Sequence, residues 1–301
     1  MNIASRFLAT TAAIAAGTAA FAQDLSNLET IGKPDQDGLW FQTPVTEVAR
    51  DIQSLETFLF WIIVAISAFV TVLLLICLIR YNQRVNKEPA TFTHNTKIEV
   101  AWTVVPVFIL IAMMPPSLKL LNKQMIMPEI TEETVVIKAI GNQWYWTHEY
   151  VDHGFGFDSI MLEKDQLAEF GYADDEYLLA TDTAVVVPVN TDVIVQVTAA
   201  DVIHAWTIPS FGVKQDGVPG RLAELWFNAE KEGVYFGQCS ELCGLNHSYM
   251  PITVKVVSKE VYQEWLDNAI NEYAGTPRVK PDVKTASLGL DLVSAEEAKS
   301  N

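Results

Sequence analysis

The chain has 301 residues, half of them apolar, and a net charge of −17. A chain of this length can bury one substantial core and still have residues for a second structural part. Its acidity excludes a nucleic-acid-binding surface, because like charges repel, and favours a basic partner.

Residues 1–22, MNIASRFLATTAAIAAGTAAFA, have the composition of a secretory signal peptide. Arg6 precedes an Ala-rich apolar run, and residues 20–22 read Ala-Phe-Ala, which is typical of a cleavage site. The run is too short to cross about 30 Å of hydrocarbon. We therefore expect cleavage before Gln23, which leaves residues 23–56 as an outer N-terminal segment.

Two apolar runs predict a transmembrane helix hairpin over residues 57–121. Residues 57–79 and 100–118 contain no charged side chain. The first run would be about 34 Å long as a helix, which is enough to span a bilayer. Cys77 lies deep in this run and is interpreted as a small apolar residue rather than a ligand.

The charges beside the hairpin predict its orientation. Residues 80–99 contain Arg80, Arg84, Lys87 and Lys97, whereas residues 23–56 contain two basic residues against seven acidic ones. The positive-inside rule places the short loop in the cytoplasm and both mature termini on the other side. With the signal peptide, this predicts a two-pass membrane protein whose later domain lies on the outer, periplasm-like side.

The outer domain, residues 122–268, has the pattern of an all-β fold. Its short Val- and aromatic-rich segments are separated by turn residues, which favours an antiparallel β-sandwich or barrel. The predicted strands are residues 135–140, 144–150, 184–189, 193–198, 224–227, 234–237 and 252–257. A short helix is expected over residues 258–273, and the C-terminal tail, residues 269–301, is expected to be partly disordered, with loose order over about its last twenty residues.

One segment, GQCSELCGLNHSYM, concentrates residues that bind soft metals. Cys239, Cys243, His247 and Met250 follow one another at spacings of four, four and three. His204 lies 35 residues before the first cysteine, in DVIHAWTIP. Loops at one end of a Greek-key sandwich meet in space, so His204 can join the set.

Four interpretations of this segment are open from the residues alone. A disulfide suits the compartment but leaves the histidines and methionine unused. Structural zinc would use the cysteines and histidines but not the thioether, and a thiol redox pair would have two residues between its cysteines in a βαβ context. Copper suits every member, and two cysteines with two histidines can hold two copper ions bridged by the sulfurs.

The runs CSELCGLNHSYMP and DVIHAWTIPSFGVKQDGVPGR resemble subunit II of the haem-copper cytochrome c oxidases in its α-proteobacterial and mitochondrial form. The resemblance covers residues 30–268, including the hairpin. It implies a cupredoxin-like Greek-key β-sandwich that carries the dinuclear copper centre called CuA. The expected fold class is therefore a membrane-anchored all-β protein.

The resemblance also implies the metal ligands. The cysteines would bridge two copper ions, one histidine would cap each ion, and a thioether and a backbone carbonyl would complete the set. These ligands would be His204, Cys239, Glu241, Cys243, His247 and Met250. The side chain of Glu241 would further reach a magnesium ion shared with subunit I.

Further roles follow from the same resemblance. Trp144, in GNQWYWTHEY, would be the point where electrons enter, while Trp146 is expected in the core. Glu99, in HNTKIEVAW, would stand at the mouth of a proton path into subunit I. Acidic residues would guide a lysine-rich cytochrome c, namely Glu149, Asp158, Asp182 and Asp201. The remaining histidines, His94, His148 and His153, are expected at the surface.

The implied function is the electron-accepting subunit of a proton-pumping terminal oxidase, a translocase and oxidoreductase. Its partners would be cytochrome c, subunit I, subunit III and membrane lipid, and nothing in this chain suggests oxygen chemistry of its own. The alternative is a membrane-anchored copper carrier or assembly factor. Such proteins have their histidine far downstream in a thioredoxin-like fold, whereas His247 follows Cys243 closely here.

Overall fold

The computed structural model describes residues 25, 27–35 and 37–273. It contains two long apolar helices followed by a β domain and a short helix, which confirms the predicted fold class. The predicted signal peptide, and the tail beyond residue 273, lie outside the described residues.

The two long helices are α1, Glu47–Arg80, and α2, Thr96–Met125, and both extend beyond the uncharged runs. Their central residues are exposed, as expected for surfaces that face lipid or another protein. Lys123 near the end of α2 lies 2.6 Å from Glu47 and 2.5 Å from Asp51 of α1. This ion pair joins the helices at the end next to the β domain.

The N-terminus of α1 is fixed to the β domain by Thr46. Its buried Oγ1 accepts a hydrogen bond from the Ala49 amide, which caps the helix, and donates one to the Phe211 carbonyl of the β domain. One turn later, Arg50 makes a two-pronged ion pair with Glu230. The added charged turns of α1 therefore belong to the junction with the β domain.

Eleven strands form the β domain within the described part of the chain. In chain order they are β1 Thr30–Gly32, β2 Val135–Asn142, β3 Tyr145–Tyr150, β4 Phe155–Ser159, β5 Val185–Pro188, β6 Asp192–Ala199, β7 His204–Ile208, β8 Val213–Gly217, β9 Ala223–Asn228, β10 Gly233–Gln238 and β11 Pro251–Val257. The helix α3, Lys259–Tyr273, follows them. All seven predicted strands are present, and β1, β4, β7 and β8 are additional.

The strands form two main sheets that enclose an aromatic core. One sheet has the order β1-β10-β11-β5, the other β4-β3-β2-β6-β9, and β7 pairs with β8 in a separate ribbon. Trp146, Trp206 and Tyr235 are among the largest buried side chains between them. The predicted sandwich is present, but its sheets are mixed and not antiparallel throughout, since β2 pairs with β6, β5 with β11 and β1 with β10 in parallel. Parallel neighbours cannot be joined by a tight hairpin, so each of these pairs is linked through other elements of the chain.

His148 was expected at the surface and is instead completely buried. Trp206 Nε1 donates to its Nε2 at 3.3 Å, so the ring proton lies on Nδ1 and is directed at Ser159 Oγ, 3.1 Å away. Burial lowers the pKa of His148 to about 3, which keeps the ring neutral. The expectation failed because the alternation along β3 places residue 148 on the same inward face as Trp146.

Candidate metal centre

The two cysteines of the loop between β10 and β11 face each other as free thiols. Cys239 directly follows β10 and Cys243 lies four residues later, and both are buried. Their Sγ atoms are 3.9 Å apart, whereas a disulfide bond is about 2.05 Å long. The two sulfurs are therefore separate ligand atoms.

Each sulfur faces the Nδ1 atom of a different histidine. His204 Nδ1 lies 3.7 Å from Cys239 Sγ, and His247 Nδ1 lies 3.5 Å from Cys243 Sγ. The ligand atoms of His204 and both cysteines all lie within 4.8 Å of one another. The fold thus brings His204, distant in sequence, to the cysteine loop as predicted.

A weaker donor also stands beside each sulfur. The carbonyl oxygen of Glu241 is 3.4 Å from Cys239 Sγ, and the Met250 thioether is 3.5 Å from Cys243 Sγ. The Glu241 residue is exposed, so its carboxylate is available on the outside of the loop while its carbonyl faces inward. Six residues therefore supply two thiols, two imidazoles, one thioether and one carbonyl.

The His204 ring occupies a space that only glycine at position 141 leaves open. His204 is the first residue of β7 and is fully buried. A Cβ atom at Gly141 would come within 2.7 Å of the ring, and Trp146 packs edge-on against the ring with centroids 5.9 Å apart. Packing thus fixes the plane of this imidazole before any metal binds.

Asp201 fixes the remaining degree of freedom of the same ring. Its Oδ1 lies 2.9 Å from His204 Nε2, and its carboxylate also accepts hydrogen bonds from the amides of Val202 and Gln143. When Nε2 carries the proton, the lone pair of Nδ1 points toward Cys239. A carboxylate that orients a metal-binding histidine in this way also raises its basicity.

Gln143 and Trp144 hold the backbone of the second cysteine. Gln143 Nε2 donates to the Cys243 carbonyl at 2.8 Å, and Trp144 Nε1 donates to the same oxygen at 3.2 Å. Gly244, at φ +117°, passes beneath them, and a Cβ there would lie 3.2 Å from the indole ring. The sequence interpretation found Trp144 but missed Gln143, whose one signal was its place beside that tryptophan.

The two thiols differ in acidity although they are neighbours. Burial disfavours ionisation of Cys239, but hydrogen bonding to His204 prevails and lowers its pKa to about 7. Burial and the negative charge on Cys239 raise the pKa of Cys243 to about 12. A bound cation would remove this repulsion, since metals bind the thiolate form.

The other three acidic residues predicted to guide cytochrome c also lie in the β domain, and each contacts a neighbouring residue there. Asp158 accepts a hydrogen bond from Thr147 at 2.6 Å, and Asp182 accepts from the Ile160 amide at 2.8 Å. Lys138 lies 3.5 Å from Glu149. Asp201, by contrast, contacts the cluster directly through its bond to His204 Nε2.

Glu99 lies far along the chain from this cluster, at the start of α2. Its Oε1 accepts a hydrogen bond from the Asn95 amide at 3.1 Å, and Asn95 Oδ1 accepts one from Ile98. This reciprocal arrangement caps the helix. Glu99 therefore has a structural role at the end of the hairpin opposite the β domain.

The donor set fits copper better than zinc. Thiolates and thioethers are soft ligands, imidazole is intermediate, and a long sulfur contact is typical of electron-transfer copper. Zinc sites are closed by four strong ligands and leave a thioether unused. The equal division of donors between the sulfurs also suits two ions, each with its own imidazole.

Comparisons with known proteins agree with this geometry. A family model described as the periplasmic domain of cytochrome c oxidase subunit II matches residues 135–257, which contain the whole cluster. A second model, described as the transmembrane domain of the same subunit, matches residues 34–120. The two matches divide the chain between its helices and its β domain.

Individual relatives extend over most of the chain. Cytochrome c oxidase subunit 2 of Cereibacter sphaeroides is 53% identical over 272 residues, covering 86% of this chain and 88% of its own. The probable subunit 2 of Rickettsia bellii is 43% identical, covering 75% and 82%. A crystal structure of the periplasmic domain of subunit II from Bradyrhizobium japonicum is 46% identical and covers 49% of this chain and 99% of its own, with a TM-score of 0.43.

Proposed function

The chain belongs to the family of cytochrome c oxidase subunit II, and from this premise we propose that its sulfur and imidazole cluster is the CuA centre. The chain is the subunit of a haem-copper oxidase through which electrons enter, and it is anchored by two membrane-spanning helices. Within that role, the six ligand residues, the number of copper ions and the electron donor are the parts proposed here.

The pairing of donors is the observation that carries the proposal. When bound, two copper ions supply a one-electron redox couple shared between both metals. Cys239, Cys243, His204, His247, Met250 and the Glu241 carbonyl would hold them, with one imidazole and one weaker donor beside each sulfur. With this division, each of the six donors at the loop would bind copper.

The protein part of the mechanism is to hold these ligands rigid and dry. Cys239, Cys243, His204 and Met250 are at most 6% exposed, so water is kept from the inner side of the site. Hydrogen bonds from Gln143 and Trp144 to the Cys243 carbonyl limit movement of the loop. Ligands that move little when the metal is reduced need little reorganisation, so they present only a small barrier to electron transfer.

Trp144 is the proposed point of electron uptake. Its indole ring is half-buried, so one side remains accessible, and its N–H contacts the backbone of a ligand residue. It thus connects the surface of the β domain with the centre through a single hydrogen bond. The donor would be a basic cytochrome c, attracted by the acidic surface that includes Glu149, Asp158 and Asp182.

Asp201 would have two roles, because it orients His204 and adds to the negative surface near Trp144. The exposed carboxylate of Glu241 would bind Mg²⁺ together with subunit I. Glu99 would open a proton path into subunit I in addition to capping α2. Subunit III would complete the assembly, with the β domain on the periplasmic side of a bacterial inner membrane.

The organisation proposed for the chain follows the same order. A signal peptide, residues 1–22, and an outer segment, residues 23–56, would precede the hairpin at residues 57–121. The CuA domain would occupy residues 122–268, before a tail at residues 269–301. The copper carrier alternative receives no support from the fold, which has two β-sheets around the site.

Metal analysis of the purified complex tests the proposal. Besides the copper of the haem-bearing subunit, we expect two copper ions per copy of this chain and an EPR signal of one unpaired electron shared by two copper nuclei. Cys239→Ser should abolish both, whereas Cys77→Ser, which removes the lipid-facing cysteine, should leave both unchanged. One copper ion per chain, or stoichiometric zinc, would contradict the dinuclear centre.

A further inference from the structure

Three consecutive apolar residues are exposed between β1 and α1. Leu39 is 90% exposed, Trp40 59% and Phe41 55%. The chain before them is acidic, with exposed Asp35 and Asp37. Such a group of large apolar side chains is unfavourable in water and indicates a surface that another phase or molecule covers.

This segment folds back along α1 and does not project from the β domain. The Trp40 ring packs edge-on against Phe60 with centroids 5.2 Å apart, and Phe60 packs in the same way against Trp61 at 5.6 Å. Gln53 Nε2 donates to the Gln42 carbonyl at 3.0 Å, which fixes the return of the chain toward α1. The segment thus has a defined position beside the helix.

The level of that contact lies at the start of the membrane-spanning run. Phe60 is four residues beyond Glu56, the last charged residue before the run, or about 6 Å farther along the helix axis. Because helical side chains lean toward the N-terminus, the Phe60 ring and Trp40 lie close to the level at which the charged first turns of α1 end. A polar chain segment at that depth would lose its hydration, whereas an apolar one would not.

We propose that Leu39, Trp40 and Phe41 form an interfacial membrane anchor, inserted among the lipid headgroups of the leaflet next to the β domain. Tryptophan prefers this region because its ring is apolar and its N–H finds polar partners there. The segment is continuous with the exposed apolar surface of α1, where Trp61 is 63% exposed. The acidic residues before it favour zwitterionic over anionic headgroups.

Photochemical cross-linking in the assembled oxidase tests this anchor. Phe41 is replaced by p-benzoylphenylalanine, and the complex is reconstituted in phosphatidylcholine vesicles and irradiated. The control is the same replacement of Val151, an exposed apolar residue in the turn between β3 and β4. We expect phosphatidylcholine adducts at position 41 and none at position 151, with copper content unchanged in both.

A depth measurement distinguishes the headgroup region from other positions. Wild-type and Trp40→Phe complexes are compared in vesicles that contain phosphatidylcholine brominated at different carbons. The fluorescence lost through Trp40→Phe should be quenched most by bromines nearest the headgroup. Adducts at position 41 to another subunit, or Trp40 fluorescence that no brominated lipid quenches, would overturn the proposal.

Discussion

The two buried histidines of the β domain, His148 and His204, have opposite chemical roles. Both are completely inaccessible to solvent, and both are packed against tryptophan. His148 has each ring nitrogen engaged by a neutral group, Ser159 on one side and Trp206 on the other. His204 has one nitrogen held by the Asp201 carboxylate and the other facing a thiol.

This difference shows that burial alone does not make a histidine a ligand. Burial without a charged partner lowers the pKa of His148 to about 3. Burial acts on His204 in the same direction, but the contacts with Cys239 and Asp201 prevail and raise its pKa. A ligand histidine is therefore recognised by what its two nitrogens face.

Replacing each histidine by glutamine gives the most severe test of the difference. His204→Gln should lose copper and cytochrome c oxidation, because it removes a donor from the centre. His148→Gln should keep copper but lower the free energy of unfolding by about 1–3 kcal/mol, the usual cost of unsatisfied buried polar groups. Metal analysis and denaturant unfolding measure the two effects.

Equal loss of copper in both variants would break the comparison, since it would make His148 part of the site. Retention of both copper ions in His204→Gln would also contradict the comparison, since it would show that His204 is not needed to bind copper.

The tryptophan at the centre provides the next largest effect. Trp144→Phe keeps an aromatic ring but removes the hydrogen bond to the Cys243 carbonyl. Electron uptake from reduced cytochrome c, followed by stopped-flow absorbance, should become slower while copper content stays the same. The matched variant Trp40→Phe, at an exposed tryptophan beside α1, should not change the rate.

Asp201→Asn sharpens the comparison by making the environment of His204 resemble that of His148. It retains the volume of the side chain but replaces the charged partner of Nε2 by a neutral one. Loss of a partner of this kind typically weakens metal binding by about 10- to 100-fold. Competition with a copper chelator measures the change.

Asp158→Asn is the control for Asp201→Asn, because it removes an acid of the same domain that bonds to Thr147 instead of a ligand. If both variants weakened copper binding equally, Asp201 would act through surface charge and not through His204.

The smallest effect concerns the dependence of stability on pH. The His148 pKa of about 3 lies below the ordinary value near 6.5, so in acid the unfolded chain binds a proton that the folded chain does not. The contribution of His148 to stability is therefore complete above pH 6.5 and decreases as the pH falls toward 3. Relative to wild type, His148→Gln should show a weaker loss of stability over this range in urea unfolding.

The sequence was sufficient for the elements with strong local patterns. The uncharged runs predicted both spanning helices, and the Val-rich segments predicted seven strands. β8, which reads VKQDG, has no apolar alternation, and the three residues of β1 acquire their strand conformation by pairing with β10. Such elements depend on a partner strand and have little signal of their own.

The donor residues of the candidate site could be predicted from the sequence, but the residues that hold those donors in position could not. Spacing identified the cysteine loop, the meeting of loops at one end of a Greek-key sandwich added His204, and the resemblance pointed to Trp144. The bonds from Asp201 to His204 and from Gln143 to Cys243 join segments that only the folded chain brings together. In the same way, His148 gave no sign of burial until the inward face of β3 was known.

The double hydrogen bonding of Thr46 has a consequence for how the protein unfolds. The same hydroxyl caps the first membrane helix and holds the connection between β7 and β8 at Phe211, so the two parts cannot separate without breaking a buried hydrogen bond. The Arg50 and Glu230 pair one turn away adds a second attachment. Helix end and β domain should thus behave as one cooperative unit, which keeps the sulfur and imidazole cluster at a constant height above the bilayer.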